Sequence, residues 1–277
     1  MILYSAVGGG LGHLTRAAAF LNTRERGEEA VVICSSPHAR YVSGLERAHL
    51  LDVPESVRAN ALAYGMWMRN VVGTIRPKRL YLDTFPAGLF GEFRAFPFPA
   101  DTRLFLVARI LRVERYLETY GADLPHFERV FLCERMPESG RAFAASLGET
   151  CEDLELVDPP ASGDPSAVPD RDFWFIEHSG PEEEVRELLE YARSCSDAEG
   201  TRPMFVLNTP SGRIEGADIR TVSTFRSLPF YERAKRIITG AGFNVMRKAR
   251  AFKEKHRALP FQRRFDDQAL RVRLSRR

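Results

Sequence analysis

The sequence predicts an α/β protein of two domains, each with a mostly parallel sheet. Three observations predict it. Short, nearly continuous apolar runs recur along the chain, as strands covered on both faces require. Helix-like segments separate these runs, which is the order that parallel pairing needs. A stretch rich in Pro, Gly, Ser and Asp at 158–170 (DPPASGDPSAVPD) interrupts the series, and the same alternation restarts after it.

The elements follow in order. Residues 2–7 have a buried-strand pattern, and 14–26 read as a helix that Gly27 is placed to end. Further strands are predicted at 30–35, 80–83, 104–108 and 130–133. The stretch 158–170 is taken as a linker, so the domains are 1–157 and 171–277. In the second domain 173–176 is a strand, followed by a turn at His178-Ser179-Gly180. Pro181 stands at a first helical position, and Glu182, Glu183 and Glu184 supply the carboxylates that suit a helix N-terminus. Gly200 closes that helix. Strands at 204–207, 219–225, 237–238 and 257–261 complete a second Rossmann-like half.

The composition agrees. A chain of 277 residues suffices for one large domain or two small ones. Hydrophobic residues at 44% and charged residues at 28% are the balance of a globular protein with a core. Lys and Arg total 40 against 37 Asp and Glu, so net charge says little about partners. Its distribution says more: residues 240–277 hold twelve Lys or Arg against three Asp or Glu. Such an end suits an anionic ligand, an acidic membrane surface or nucleic acid, although 271–277 reads best as a solvated basic tail. Cys34, Cys133, Cys151 and Cys195 show no Cys-x-x-Cys spacing. Reduced thiols in a cytoplasmic protein are expected, with neither disulfides nor a metal site. No run approaches the ~18 apolar residues of a membrane span, and the N-terminus lacks the pattern of a signal peptide.

Four constellations could carry chemistry. The first is Gly8-Gly9-Gly10-Leu11-Gly12-His13, directly after the first strand. Glycines there let the chain turn tightly and let a ligand approach the main chain, and the helix that follows offers unpaired N–H groups. The spacing is not that of a nicotinamide-dinucleotide site, because the second strand ends in Cys34-Ser35-Ser36 without a carboxylate. His13 lies at the sheet's carboxyl edge, where open α/β folds bind ligands. A neutral imidazole there can take a proton from an attacking hydroxyl, against the alternative of a purely packed histidine. The second is Thr239-Gly240-Ala241-Gly242-Phe243-Asn244, ahead of a helix with Arg247, Lys248, Arg250 and Lys253. It reads equally as a phosphate cradle and as a turn before a solvated basic helix. The third is Asp266-Asp267-Gln268, whose side chains can bond sugar hydroxyls or simply begin a helix. The fourth is Asp83-Thr84-Phe85-Pro86-Ala87-Gly88, a polar strand end fit for a cleft wall. Phe85, Phe90, Phe93, Phe96 and Phe98 with Trp67 could face an apolar acceptor, but buried packing is the commoner use.

These pieces, in this order, resemble the GT-B glycosyltransferases. More narrowly they resemble the group around the lipid-linked N-acetylglucosaminyltransferase of peptidoglycan synthesis (family 28 type) and its uncharacterised relatives. The residues that carry the likeness are Gly9, Gly10, Leu11, Gly12 and His13; Asp83, Phe85, Pro86 and Gly88; Gly240 to Asn244; and Asp267 with Gln268. The resemblance implies two Rossmann-like domains facing a cleft, with the acceptor on the N-terminal side and the nucleotide-sugar on the C-terminal side. It implies His13 as the base or as the residue that orients the acceptor, with Gly9, Gly10, Gly12 and Asp83 on the acceptor side. It implies Gly240, Ala241, Gly242, Asn244, Arg247, Lys248, Asp267 and Gln268 on the donor side. No cofactor and no metal are implied, the nucleotide-diphosphate sugar being the substrate and the acceptor unknown.

The sequence also departs from that group. The helix after the Gly-Asn loop usually carries a glutamate for the ribose, and Lys248 stands there. The first loop of the second domain is His178-Ser179-Gly180 and three glutamates rather than a glycine run. The chain stops soon after Gln268, so an altered donor site is an expectation too. The leading expectation is a metal-independent, inverting hexosyl transfer from a nucleotide-diphosphate sugar to a hydroxyl. The alternative is a non-catalytic relative that binds a nucleotide, a sugar or a protein. A third reading, a nucleotide-sugar epimerase or hydrolase, would need Asp83, Glu92 and Glu177. Peripheral membrane contact stays open as an expectation, and nucleic acid ranks last because no recognition motif accompanies the basic end.

Overall fold

A computed structural model of the chain describes every residue except 9, 10, 37, 38, 40, 41, 161–167, 211, 213, 225 and 277. The chain divides into two compact units. The first is Met1–Pro160 together with Arg263–Asp267, and the second is Ala161–Gln262 together with Gln268–Arg277.

In the first unit the order is β1 (Ile2–Ser5), α1 (Gly12–Arg24), β2 (Ala30–Cys34), β3 (His49–Asp52), α2 (Glu55–Arg58), α3 (Ala61–Ile75), β4 (Arg79–Asp83), β5 (Arg103–Ala108), α4 (Val113–Tyr120), β6 (Phe127–Leu132), α5 (Glu138–Ser146) and β7 (Gly148–Asp153). The strands form one parallel sheet in the order β3-β2-β1-β4-β5-β6-β7. The central strands are the continuous apolar runs of the sequence. The edges β3 and β7 were not among the predicted strands, and the reason is physical. An edge strand is half exposed, so HLLD and GETCED carry polar residues that break an apolar run.

Register brings Tyr4 beside Tyr81 and Tyr81 beside Phe105 across three strands. Their rings stack at 6.0 and 4.8 Å, and Phe20 of α1 packs on Tyr4, Tyr81 and Phe131. This aromatic layer fixes α1 on the sheet. The helix starts two residues earlier than the periodicity suggests and so takes Gly12 and His13 into its first turn. It stops at Arg24, and Gly27 then takes a left-handed turn (φ 87°).

In the second unit the order is β8 (Phe173–Glu177), α6 (Glu182–Ala198), β9 (Met204–Asn208), β10 (Ile219–Val222), α7 (Leu228–Arg233), β11 (Arg236–Gly240), α8 (Phe243–Ala249), β12 (His256–Leu259) and α9 (Gln268–Ser275). The sheet is parallel, β10-β9-β8-β11-β12. β8 shows why a buried parallel strand is apolar throughout. Trp174 and Ile176 pack with Val185, Leu188 and Leu189 of α6, while Phe173 and Phe175 pack with Phe230 and Tyr231 of α7. Pro181 caps α6 rather than opening it. β10 ends at Val222, short of the predicted 225, and β12 ends ahead of Pro260, which cannot donate to a ladder.

In both sheets the chain moves outward from a first strand in one direction and then resumes on its other side. These reversals lie at β1/β4 and at β8/β11. A ligand site in an open α/β sheet sits at the carboxyl ends of such strands. No helix among the described residues is long and apolar enough to cross a membrane.

Phe20→Ala removes the ring, fully buried, that joins α1 to three strands. Its expected cost is about 3–5 kcal/mol, read from chemical denaturation. Leu62→Ser, at a site 76% exposed, is expected to stay within about 0.5 kcal/mol of the parent.

Candidate active site

At the β1/β4 reversal, β1 leads through Ala6 and Val7 into Gly8, and α1 begins at Gly12. A Cβ on Gly8 would lie 2.2–2.3 Å from Cδ2 and Nε2 of the His13 imidazole, so only glycine lets the ring lie against the loop. Gly9 and Gly10 lie outside the described residues. His13 is buried, and its Nδ1 is 2.5 Å from Oδ2 of Asp83, the last residue of β4. An ionised carboxylate only accepts, so Nδ1 holds the proton and Nε2 is left as the basic nitrogen.

Asp83 was expected to line the cleft, but its side chain is fully covered and reaches the site through His13. Three side chains meet it through four contacts. Arg16 Nε donates to Oδ1 at 2.6 Å and Arg16 Nη2 to Oδ2 at 2.5 Å, a two-point clamp. Tyr4 donates to Oδ1 at 3.2 Å, and His13 holds Oδ2. Burial works against the charge on Asp83, but Arg16 and His13 outweigh it and bring its pKa down to about 2. Burial is also the main reason the His13 pKa falls below its ordinary 6.5. The Asp83 charge opposes that fall, while Arg16 and Arg109 add to it.

Thr84, next in the chain, is a β-branched residue at φ 74°, a left-handed conformation that such residues rarely adopt. Its N–H bonds Val107 O across the sheet. Its Oγ1 accepts from Arg16 Nη2 at 2.9 Å and from Arg109 Nε at 3.0 Å. Arg109 in turn pairs with Asp266 at 2.5 Å. Phe265 beside it packs among Phe85, Tyr116 and Tyr120, and Phe85 lies 5.8 Å from His13. The aromatic residues after β4 therefore serve packing, with Phe93, Phe96 and Phe98 stacked on one another. Glu92 folds back onto the N–H groups of Leu89 and Phe90, and burial pushes its pKa up to about 7.

At the β8/β11 reversal, Glu177 ends β8. Its carboxylate accepts from Asn208 Nδ2 (3.0 Å), Ser227 Oγ (2.7 Å), Tyr231 OH (2.5 Å) and Lys248 Nζ (3.2 Å). Lys248 also donates to Ser227 Oγ at 2.8 Å. The resemblance places Lys248 on the donor side, where relatives carry a glutamate. In the structure its ammonium bonds Glu177 and Ser227, and a carboxylate so fully bonded is not a free acid or base. Burial raises the Glu177 pKa, but Lys248, Tyr231 and Ser227 outweigh it and hold the carboxyl below its ordinary 4.5.

The loop of the second domain is shorter than its motif suggests, since α8 begins at Phe243 with Gly242 as its N-cap. A Cβ on Gly240 would fall 2.7 Å from His178 Nδ1, so the bare glycine makes room for that ring. His178 lies on Phe261 at 5.0 Å, and its Nε2 is 2.6 Å from Glu184, one of the three glutamates at the start of α6. Ala241 is fully covered, with its N–H on Leu259 O and its carbonyl bonded by Arg271. Asn244, Arg247 and Lys248 are half-buried. Asp267 goes with the first unit and Gln268 with the second, where Gln268 Oε1 accepts from Phe261 N.

Sequence reading missed Arg16 and Arg109, and it placed Glu184 at a helix start without its contact to His178. Arg16 had a signal: it sits three residues after His13, hence on the same helix face, and interrupts the apolar stretch 14–21. Among the described residues no group of three or more His, Cys, Asp or Glu is placed to hold a metal ion.

No protein-family model matches the sequence, and no curated protein matches it. Solved structures do. The glycosyltransferase SnogD from Streptomyces nogalater is 14% identical, with 94% of this chain and 81% of that chain covered and a TM-score of 0.57. The spinosyn rhamnosyltransferase SpnG complexed with thymidine diphosphate is 14% identical over 95% and 81%, with a TM-score of 0.60. S. aureus MnaA, in a co-structure with UDP, is 11% identical over 95% and 80%, with a TM-score of 0.65. The fold is that of the GT-B glycosyltransferases. At these identities the likeness fixes architecture, and the chemistry has to be argued from the side chains.

Lys248→Met leaves the covered Glu177 carboxylate without its cation. A loss of about 3 kcal/mol at neutral pH is expected from denaturant unfolding, with Glu177→Gln/Lys248→Met recovering part of it. Because the Glu177 pKa is lowered by folding, the pair's contribution is present above about pH 4.5 and is lost as pH falls through the folded value. Parent and Lys248→Met should therefore converge in acid.

Proposed function

We propose that this chain is a glycosyltransferase that moves a sugar from a nucleotide-diphosphate donor to an acceptor hydroxyl, by a metal-independent, inverting displacement. The observation that carries the reading is the His13–Asp83 pair at the reversal point of the first sheet. His13 is the base. As the acceptor oxygen bonds the anomeric carbon, its proton passes to Nε2 and the bond from that carbon to the diphosphate oxygen breaks, leaving the nucleoside diphosphate. Asp83 fixes the tautomer and faces the imidazolium that forms, without taking the proton itself. The glycine edge at Gly8 and Gly12 gives the acceptor access, with Gly9 and Gly10 proposed beside them.

The donor is assigned to the second unit, at Gly240, Gly242 and Asn244 before α8, with Arg247 and Asp267 alongside. N–H groups at a helix start offset the charge of the departing diphosphate. Support for the donor class comes from SpnG and SsfS6, solved with thymidine diphosphate, and from MnaA with UDP. The narrower kinship with the peptidoglycan enzyme rests on the sequence motifs alone.

One observation favours a second reading, a non-catalytic relative. Lys248 and Gln268, both on the expected donor side, are engaged with Glu177 and Phe261.

Thermal denaturation with uridine and thymidine diphosphates and their sugars separates the two. A ligand at one hundred times its Kd should stabilise the protein by about 2.7 kcal/mol, and Gly242→Trp should abolish the effect. Given a donor that binds, His13→Ala is expected to lower transfer by roughly 10²–10⁴-fold while donor affinity is kept. Absence of stabilisation by every nucleotide would leave the non-catalytic reading standing.

A further inference from the structure

Arg16 is a buried arginine on the face of α1 that also carries His13. Helix packing alone does not call for it, since its neighbours on that face, Ala17 and Phe20, are apolar. Its guanidinium makes two contacts to Asp83 and one to Thr84, and Nη2 lies 3.3 Å from His13 Nδ1. The charged groups around His13 come from several elements. Asp83 arrives from β4, Arg16 from α1, Arg109 from the residues after β5, and Asp266 against Arg109. Tyr4 on β1 bonds Asp83, the Cys133 thiol after β6 interacts with Tyr4 and Arg16, and Phe85 is apolar.

Arg16 faces Asp83 and Arg109 faces Asp266, so each of these carboxylates already has a cation before His13 takes up a proton. In a simple His–carboxylate pair the anion instead favours the imidazolium. We infer that Arg16 is a positioning residue for the proposed transfer, cancelling the charge of Asp83 so that His13 stays oriented by the carboxylate yet remains uncharged and ready to accept a proton. The role rests on the transferase reading, but its physical content does not.

NMR titration of the His13 imidazole, assigned with His13→Gln, reads that content directly. It needs neither donor nor acceptor, so it can fail while transfer is found and hold where none is found. In Arg16→Gln the His13 midpoint should rise by one pH unit or more, a tenfold gain in proton affinity. Arg16→Lys, which keeps the charge, should stay within about half a unit of the parent. Where Arg16→Gln does not fold, Asp83→Asn is compared with Arg16→Gln/Asp83→Asn, which buries no net charge. The double variant should titrate at least one unit above Asp83→Asn, or titrate where Asp83→Asn stays uncharged throughout. Equal midpoints in either comparison overturn the proposal, because Arg16 would then be a structural arginine that His13 does not sense.

Discussion

A carboxylate shut away from water must have its charge met on the spot, and Asp83 imposes that demand on the whole first unit. Its place is fixed by the pairing of β4 between β1 and β5. What surrounds it is therefore chosen by charge as much as by shape. Arg16 supplies the cation, Tyr4 and His13 supply further donors, and Thr84 accepts the left-over guanidinium N–H from a strained backbone. Because His13 and Arg16 are three residues apart, both reach Asp83 only if α1 docks in one rotation. The aromatic layer of Tyr4, Phe20, Tyr81 and Phe105 holds that rotation. Packing and site geometry are one constraint here.

The second sheet answers the same demand differently. Glu177 stands at the matching end of β8, and four side chains from β9, α7, α8 and the turn before α7 bond it. One cation and three neutral donors leave nothing of that carboxylate for chemistry. At Asp83 one of the donors is an imidazole whose second nitrogen is not used by the pair. The contrast separates two buried acids that look equivalent in sequence. Asp83 has a group that can relay its influence to a reactant, and Glu177 is a fastening for the sheet end. It also weakens the epimerase or hydrolase reading, since Glu177 is saturated and Glu92 is folded onto its own loop.

Much of the fold was legible because it follows from local rules. Apolar runs, helix breaks and glycine turns marked the central strands of both sheets, and His13 and Asp83 were marked by their places at strand ends. Their pairing was not legible, because 70 residues separate them and no periodicity encodes strand order. The same holds for Lys248 and Glu177, 71 apart, where the charges were visible but their mutual engagement was not. The edge strands β3 and β7 escaped because partial exposure removes the apolar signal. Asp266 was read with its neighbours as part of a helix start, whereas its partner Arg109 lies in a different stretch of the chain. What sequence hides in each case is a long-range contact, and buried ion pairs are the contacts with the weakest local pattern.

Holding a base uncharged by placing a guanidinium beside it has an evident cost: the same field makes it a weaker base. The geometry explains how both properties can coexist. Before reaction Asp83 is already paired with Arg16, and Asp266 with Arg109, so neither carboxylate needs a proton on buried His13 to meet its charge. In the proposed transfer the proton would reach His13 as the leaving oxygen takes up negative charge, so the imidazolium would appear together with an opposite charge rather than alone. A base tuned in this way resists protonation by solvent yet accepts a proton when bond breaking supplies an anion, and that difference between ground state and transition state is the part that accelerates a reaction. Asp83 alone would stabilise the imidazolium in both states and so discriminate less. If the proposed transfer holds, the arginine would sharpen the coupling between proton transfer and departure of the leaving group, and the buried Arg16–Asp83 pair would belong to the chemistry of the site as well as to its stability.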